Sequence, residues 1–410
     1  MTGTTAETRR ELRVFLIAGE ASGDALGGAL MAALRDISPE TLRFAGVGGP
    51  AMEGQGLESL FDYSELSVMG LVEILPHAPR LLRRIREVAA VIEADPPDVL
   101  VTIDSPGFVF RVVSRLQGRS YPRIHYVAPT VWAWKPGRVH KFRRHFDRLL
   151  ALLPFEPPYF EQVGLPCTFV GHPVVEAAVD RQASRRRVGE ACAIPEDATL
   201  LCVLPGSRAG ELDRHLPAFG ETVALLAARQ PGLRVILPTL PHLRARLVAQ
   251  TADWPVPVVV VTEAAVRADA MAAADVALAA SGTVTLELAR ARVPTVVAYR
   301  VAPLTAWLLR RVIQVDYVSI VNLIADRAVI PEFLQDAMRP ADMATALRAL
   351  LSDPAARLAM QEGQSGTMLA LGEDGEPPSR RAAAAVLDVV RDWRKTRPLP
   401  AIAGYHDGET

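Results

Sequence analysis

Short apolar runs recur along this chain and alternate with longer stretches of helical spacing, and no other feature limits its fold as strongly. Runs at 14–18, 43–47, 99–103, 124–127, 149–153 and 168–170 occupy the first half. The pattern restarts in the second half with runs at 200–204, 234–237, 258–261, 276–279 and 295–298. Apolar runs too short for helices but separated by helices mark βαβ units, which bury a parallel sheet between two helical layers. The chain therefore reads as α/β, with two doubly wound domains of similar size facing each other across a cleft. The domains fall at 1–178 and 179–375, and the hinge is expected at 180–194, after Gly171-His172-Pro173. A last amphipathic helix is expected at 376–394, followed by a frayed polar tail at 395–410.

Composition narrows the function. At 410 residues the chain has room for two or three domains of about 150 residues each. Lys plus Arg is 45 against 46 Asp plus Glu, a net charge of −1, so a global electrostatic grip on nucleic acid is not expected. Cys167, Cys192 and Cys202 make an odd set without a C-x-x-C pair, which fits a reducing compartment and no thiolate zinc site. No stretch approaches the roughly 20 apolar residues of a membrane-spanning helix, and the first residues lack the apolar run of a signal peptide. A cytoplasmic location is the expectation.

Ligands of doubly wound sheets bind beyond the carboxyl ends of the strands, so residues that directly follow strands are the candidates. After the first run comes Gly19-Glu20-Ala21-Ser22-Gly23-Asp24. Ser22 or Asp24 suits a helix cap, and the glycines let an anion approach the backbone, although a plain capped turn explains the same residues. Gly46-Val47-Gly48-Gly49-Pro50-Ala51 fits the dinucleotide pattern formally, but it follows the second run and lacks the acidic partner about twenty residues on. Asp104, at the end of the run 99–103, stands where a general base is needed, with helix capping as the competing reading. Trp132 and Trp134 place two of the five tryptophans in an expected loop, where rings pack on a substrate or another domain. Arg138, Lys141, Arg143, Arg144 and Arg148 then read as a basic helix, most simply a solvated face.

In the second half, Gly206-Ser207-Arg208 combines a glycine turn with a guanidinium fork suited to a diphosphate. Ser281-Gly282-Thr283 opens a helix whose amides suit phosphate, with Glu287 one turn further placed to accept from a ribose diol. There is no G-x-x-x-x-G-K-[ST], H-E-x-x-H, G-x-S-x-G or D-x-D. P-loop, zinc-protease, α/β-hydrolase and metal-clamped transfer chemistries therefore lack their usual residues, and cationic side chains must neutralise any diphosphate.

Taken in order, the blocks AGEASGD (18–24), GVGGPAM (46–52), ELSVMGLVEIL (65–75), IDSPGF (103–108), IHYVAPTVWAWKPGRV (124–139), LLPFE (152–156), FVGHP (169–173), LPGSR (204–208), SGTVTLE (281–287) and DYVSIVNLIADR (316–327) resemble the lipid-A-disaccharide synthase family over about 13–390. The resemblance implies the two-domain B-type glycosyltransferase fold, GT-B. It also implies an inverting enzyme that joins UDP-2,3-diacylglucosamine to 2,3-diacylglucosamine 1-phosphate, releasing UDP and forming a β-1,6 disaccharide. No cofactor is implied. On this reading Asp104 is the base, with Glu20 and Asp24 as rivals. Arg208 clamps the diphosphate, Glu287 holds the ribose, and Asn322 makes a polar contact to the nucleotide or donor.

The family also implies a final helix that packs back on the first domain, peripheral attachment to the inner face of the inner membrane, and homodimers that exchange C-terminal segments. Val68, Met69, Leu71, Val72, Ile74, Leu75, Leu81 and Leu82, beside arginines 80, 83, 84 and 86, suit docking on an anionic surface or an ordinary buried helix. Pro76 and Pro79 are expected to interrupt that helix. A UDP-N-acetylglucosamine 2-epimerase shares the fold, as would a non-catalytic membrane-associated binding protein, and both remain alternatives.

Overall fold

The computed structural model describes residues 11–66, 71–118, 120–132, 137–302, 306 and 315–396. These divide into two compact units. The first holds the described residues up to 131, those at 137–173 and those from 376 onward; the second holds 132 and the described part of 174–375.

In the first unit six parallel strands form one sheet: β1 (Glu11–Ala18), β2 (Thr41–Val47), β3 (Val99–Ile103), β4 (Arg123–Tyr126), β5 (Arg148–Ala151) and β6 (Cys167–Phe169), in the order β2-β1-β3-β4-β5-β6. Every residue of β3 is buried, as a central strand covered on both faces requires. The chain winds one way from β1 to β2 and the other way from β3 onward, so the topological switch lies between β1 and β3.

Helix α1 (Ala21–Ile37) covers one face through Leu26, Leu30, Met31 and Leu34, which share one side at helical spacing. Gly28 admits the short helix α2 (Pro50–Glu53), because a Cβ there would stand 2.8 Å from the Ala51 carbonyl oxygen. Two further helices of this unit are α3 (Leu71–Ala94) and α4 (Pro106–Val113). Pro76 and Pro79 fall within α3, and its backbone continues through both, contrary to the expected interruption.

The second unit repeats the design with β7 (Thr199–Leu204), β8 (Leu233–Pro238), β9 (Val258–Val261), β10 (Val276–Ala279), β11 (Thr295–Tyr299) and β12 (Glu332–Leu334), all parallel, in the order β12-β11-β10-β7-β8-β9. Its switch lies between β7 and β10. All the apolar runs read as strands are strands. The addition is β12, three half-buried residues with only Phe and Leu apolar, too short to register as a run.

Helix α5 (Arg138–His145) buries Val139 and Phe142 and turns most of its cations outward, with Lys141 4.3 Å from the Phe110 ring centre. Arg148 lies beyond it, on β5, and donates to Thr168. The segment 180–194, expected as the hinge, is the helix α7 (Arg181–Cys192) packed in the second unit. Arg181 there donates to the carbonyls of Ala272 and Ala274. The chain instead passes from the first unit to the second at Pro173 and returns after Gly375. The returning chain forms the last described helix, Pro378–Thr396, which buries Ala382, Ala383, Val386, Val389 and Val390 in the same core as α1.

Candidate functional site

In the first unit the carboxyl ends of β3 and β4 carry backbone conformations that side chains rarely adopt. Asp104 and Ser105, directly after β3, have φ of 50° and 45°, and Val127, directly after β4, has φ of 79°. Such angles are unfavourable for non-glycine residues, and for a β-branched one especially; held strain of this kind gathers at functional sites. Two contacts fix it. The Asp104 N–H donates to the Tyr126 carbonyl at 3.0 Å, and the Val127 N–H to the Leu150 carbonyl at 3.0 Å. Gly19 closes the switch point, since a Cβ there would meet Ser105 Oγ at 2.6 Å. Burial raises the Asp104 carboxyl above its ordinary value, opposed by a hydrogen bond from the Ser105 N–H. Ser105 occupies the N-cap position of α4 and its own side chain makes no cap bond.

Asp24 is placed differently from the sequence reading. It is 4% exposed, and its carboxylate accepts the N–H groups of Gly49 at 2.8 Å, Ala51 at 2.9 Å and Met52 at 3.1 Å. It therefore caps α2, and its two oxygens are occupied by three backbone donors. The glycines of 46–49 serve this turn: a Cβ on Gly49 would stand 2.9 Å from Asp24 Oδ2. Glu20, half-buried, is the N-cap residue of α1 and makes no side-chain cap bond; Ser22 is exposed within the first turn of α1 and does not cap it, and Gly23 is buried. Trp132 is half-buried; Trp134 lies outside the described residues.

In the second unit a cavity of about 610 Å³ lies at the switch point, beyond the carboxyl ends of β7, β8 and β10. Gly206, Ser207, Arg208, Ser281, Gly282, Thr283 and Glu287 all line it. The Arg208 side chain is 67% exposed and lies 3.7 Å from Glu211 Oε1. One expectation fails: the amides of Ser207 and Arg208 are not open to phosphate, because both donate to Glu211 Oε2, at 3.0 and 3.3 Å. Gly206 has φ of 124°, and a Cβ on it would stand 2.5 Å from that same oxygen. The turn is thus braced by Glu211, leaving the Arg208 guanidinium as its contribution to an anion.

His215 supports the turn from behind. Its Nδ1 lies 2.6 Å from the Pro205 carbonyl, and its Nε2 accepts the Arg300 N–H at 3.0 Å, which fixes the neutral tautomer with the proton on Nδ1. Burial lowers its pKa, in keeping with that form. Tyr299 donates to Glu211 Oε1 at 3.2 Å. Glu211, His215 and Tyr299 carry no signal in the apolar pattern and were not singled out; only the spacing of Glu211 from the turn, a helix-start signature, could have marked it.

Glu287 follows on α11 (Val284–Arg290). Its side chain is open to solvent through the cavity yet flanked by dense protein, and this desolvation raises its carboxyl above the ordinary value, with Arg267 pulling it down. Ser281 Oγ donates to the Val318 carbonyl at 2.9 Å, tying the loop in place.

Asn322 corrects a second expectation. It is wholly buried and does not line the cavity. Its amide nitrogen donates to the Ile330 carbonyl at 2.8 Å and Glu332 Oε1 at 2.7 Å, and its oxygen accepts the N–H groups of Val329 and Ile330 at 2.9 Å each. With its hydrogen bonds filled, it braces the chain before β12 instead of touching a nucleotide. Through Glu332, which accepts the N–H groups of Val318 and Ser319, that brace reaches the loop that Ser281 holds.

The basic rim beside α3 is thinner than the sequence suggested. Glu65 binds both Arg80, at 3.0 Å, and Arg84, at 2.8 Å, whereas Arg83 and Arg86 are exposed beside Leu82. Val68 and Met69 lie outside the described residues. Among the described residues no helix is long and apolar enough to cross a membrane, and no cluster of His, Cys, Asp and Glu is arranged to hold a metal ion.

A model of the lipid-A-disaccharide synthetase family matches residues 14–386. The lipid-A-disaccharide synthase of Rhodospirillum centenum is 51% identical over 386 residues, covering 93% of this chain and 95% of that one. Among solved structures, the UDP-GlcNAc 2-epimerase of Neisseria meningitidis bound to UDP-GlcNAc is similar with a TM-score of 0.61 at 12% identity, covering 93% of this chain and all (100%) of that one. The calicheamicin glycosyltransferase is similar with a TM-score of 0.53 at 17% identity, covering 96% and 100%. At such identities these two likenesses show the shared fold of paired Rossmann-like domains, GT-B.

Proposed function

Because the chain belongs to the lipid-A-disaccharide synthase family, we propose that Asp104 and the second-unit cavity carry the two halves of its reaction. The protein is a glycosyltransferase that joins UDP-2,3-diacylglucosamine to 2,3-diacylglucosamine 1-phosphate, yielding the lipid A disaccharide 1-phosphate and UDP. The epimerase alternative rests on fold alone, at 12% identity, and is not favoured.

In this reading the acceptor hydroxyl gives its proton to Asp104 as its oxygen bonds to the anomeric carbon of the donor. The bond from that carbon to the diphosphate breaks in the same displacement, which inverts the centre. UDP is a good leaving group, so one base and a cation on the diphosphate suffice, unlike glycoside hydrolysis, where a second carboxyl must act as acid. Arg208 faces the diphosphate, Glu287 accepts from the ribose hydroxyls, and Ser281, Gly282 and Thr283 complete the wall. The observation that carries the choice of base is the Asp104 backbone, held at φ of 50° at the switch point with its carboxyl pushed up by burial.

We also propose peripheral attachment to the cytoplasmic face of the inner membrane, in which Arg83, Arg86 and Leu82 meet the anionic surface. Each such Arg contributes on the order of 1 kcal/mol near an anionic leaflet. A homodimer that exchanges C-terminal segments would swap the helix Pro378–Thr396. Product analysis with the two lipid substrates tests the central reading. A β-1,6 disaccharide with stoichiometric UDP supports it, and an epimerised sugar nucleotide or no product overturns it.

A further inference from the structure

The cavity of the second unit has a second wall that the turns after β7 and β10 do not use. Helix α10 (Ala264–Ala273) presents Ala264, Arg267, Ala268 and Met271 to it, at the i, i+3, i+4, i+7 spacing of a single helix face. Two alanines and a methionine make a flat apolar surface, suited to the face of an aromatic ring. Two polar groups interrupt it, and both are short of partners. Arg267 Nε is buried without a hydrogen bond, and so is Thr239 Oγ1, on a residue only 7% exposed just beyond β8. The Thr239 N–H is already committed to the Val261 carbonyl at 2.9 Å, so the hydroxyl alone is on offer. A donor left unpaired in a protein interior is unfavourable, and when it lines a cavity a ligand acceptor is its natural complement. Glu287, Glu211 and Arg208 are the other charged groups lining the cavity, and no ion pair joins Arg267 to Glu287 among the described residues.

We propose that Arg267 and Thr239 read the hydrogen-bonding edge of the nucleobase, and that Arg267 makes this cavity selective for uracil over cytosine. The inference rests on the reading that the cavity holds UDP, with Arg208 at the diphosphate end. Arginine only donates. Uracil offers the O4 acceptor and the N3–H donor, which a guanidinium and a hydroxyl oxygen match. Cytosine has an amino donor in place of O4 and an acceptor at N3, so a guanidinium there would face a second donor and stay unpaired. A site built on buried hydrogen bonds rejects the analogue that leaves them unmade far more strongly than a site built on shape.

The test is calorimetric titration of the full-length protein and its Arg267→Met and Thr239→Val variants with UDP and with CDP. Methionine retains the apolar stem of Arg267, and valine is nearly isosteric with threonine. The wild type should bind UDP at least tenfold more tightly than CDP. In R267M the UDP affinity should fall about tenfold or more with CDP little changed, collapsing the ratio, whereas T239V removes a hydroxyl that can donate as well as accept and should weaken UDP and CDP alike. Equal losses for both nucleotides in R267M would make Arg267 a diphosphate contact and overturn the assignment, as would equal wild-type affinities or an R267M ratio that does not move. If R267M fails to fold, Arg267→Gln takes its place: its amide both donates and accepts, so an unchanged ratio there overturns the assignment. A wild type that binds neither nucleotide would instead defeat the underlying reading of the cavity.

Discussion

Asp24 Oδ1 accepts the backbone N–H of Gly49 at 2.8 Å, tying the first turn of α1 to the start of α2. With Ala51 and Met52 as further donors, this carboxylate is part of the scaffold. Asp24→Asn puts an amide donor against one of those N–H groups and removes the charge. It is expected to lose about 1–3 kcal/mol of stability, read as a melting temperature several degrees lower. Lost turnover at an unchanged melting temperature would return Asp24 to the list of bases.

Asn322→Ala should act in the same manner and more strongly. It leaves the buried N–H groups of Val329 and Ile330 without their acceptor, at about 1–3 kcal/mol for each. Denaturant unfolding is expected to show the deficit, whereas UDP affinity at a temperature where the variant is folded should fall little. A selective loss of UDP binding with normal stability would show that Asn322 does reach the nucleotide.

Removing the last helix by ending the chain after Gly375 is expected to unfold the first unit. Val386, Val389 and Val390 pack into the α1 core, each worth about 1.5–3 kcal/mol when buried, and Arg394 pairs with Glu40 at 2.7 Å. Proteolysis of the truncated chain should leave the second unit as the resistant fragment. Equal resistance of both units would contradict this.

Arg208→Ala should weaken UDP binding by about 10- to 150-fold, the equivalent of about 1.5–3 kcal/mol for a charge-assisted contact. Stability should change little, because the guanidinium is 67% exposed and its pair with Glu211 at 3.7 Å is a surface one, while Glu211 holds the turn through the backbone amides of Ser207 and Arg208. Calorimetry beside a thermal melt separates the two; unchanged UDP affinity would remove Arg208 from the diphosphate.

The sheets were legible in the sequence because buried parallel strands are continuously apolar, as in the run at 99–103 that became β3. That Asp104 stands at a strand end, and that Arg208 and Glu287 line the cavity of the second unit, was legible because the positions that follow strands are where this fold opens its crevices. Roles that depend on who fills a hydrogen bond were not. Asp24 and Asn322 have the chemistry of site residues, and only the positions of Gly49 and Ile330 reveal that both are satisfied from within. Arg267 escaped because an arginine on an amphipathic helix looks solvated until the cavity beside it is seen.

Asp104 titrates above its ordinary value in the folded protein, because burial favours the neutral carboxyl. That preference stabilises the fold fully below the unfolded value and disappears as pH rises through the folded one, above which the ionised group weighs against folding. The base must be ionised to act, so the acid limb of kcat is expected above the ordinary Asp range of about 3.9. The most direct test of Asp104 as the base is kcat of Asp104→Asn, measured with its UDP affinity and melting temperature at neutral pH. The amide keeps the shape, loses the basicity and has no charge to desolvate, so kcat should fall about 10²- to 10⁴-fold while UDP affinity holds and the melting temperature stays level or rises. Near-normal kcat in a folded Asp104→Asn enzyme would contradict it.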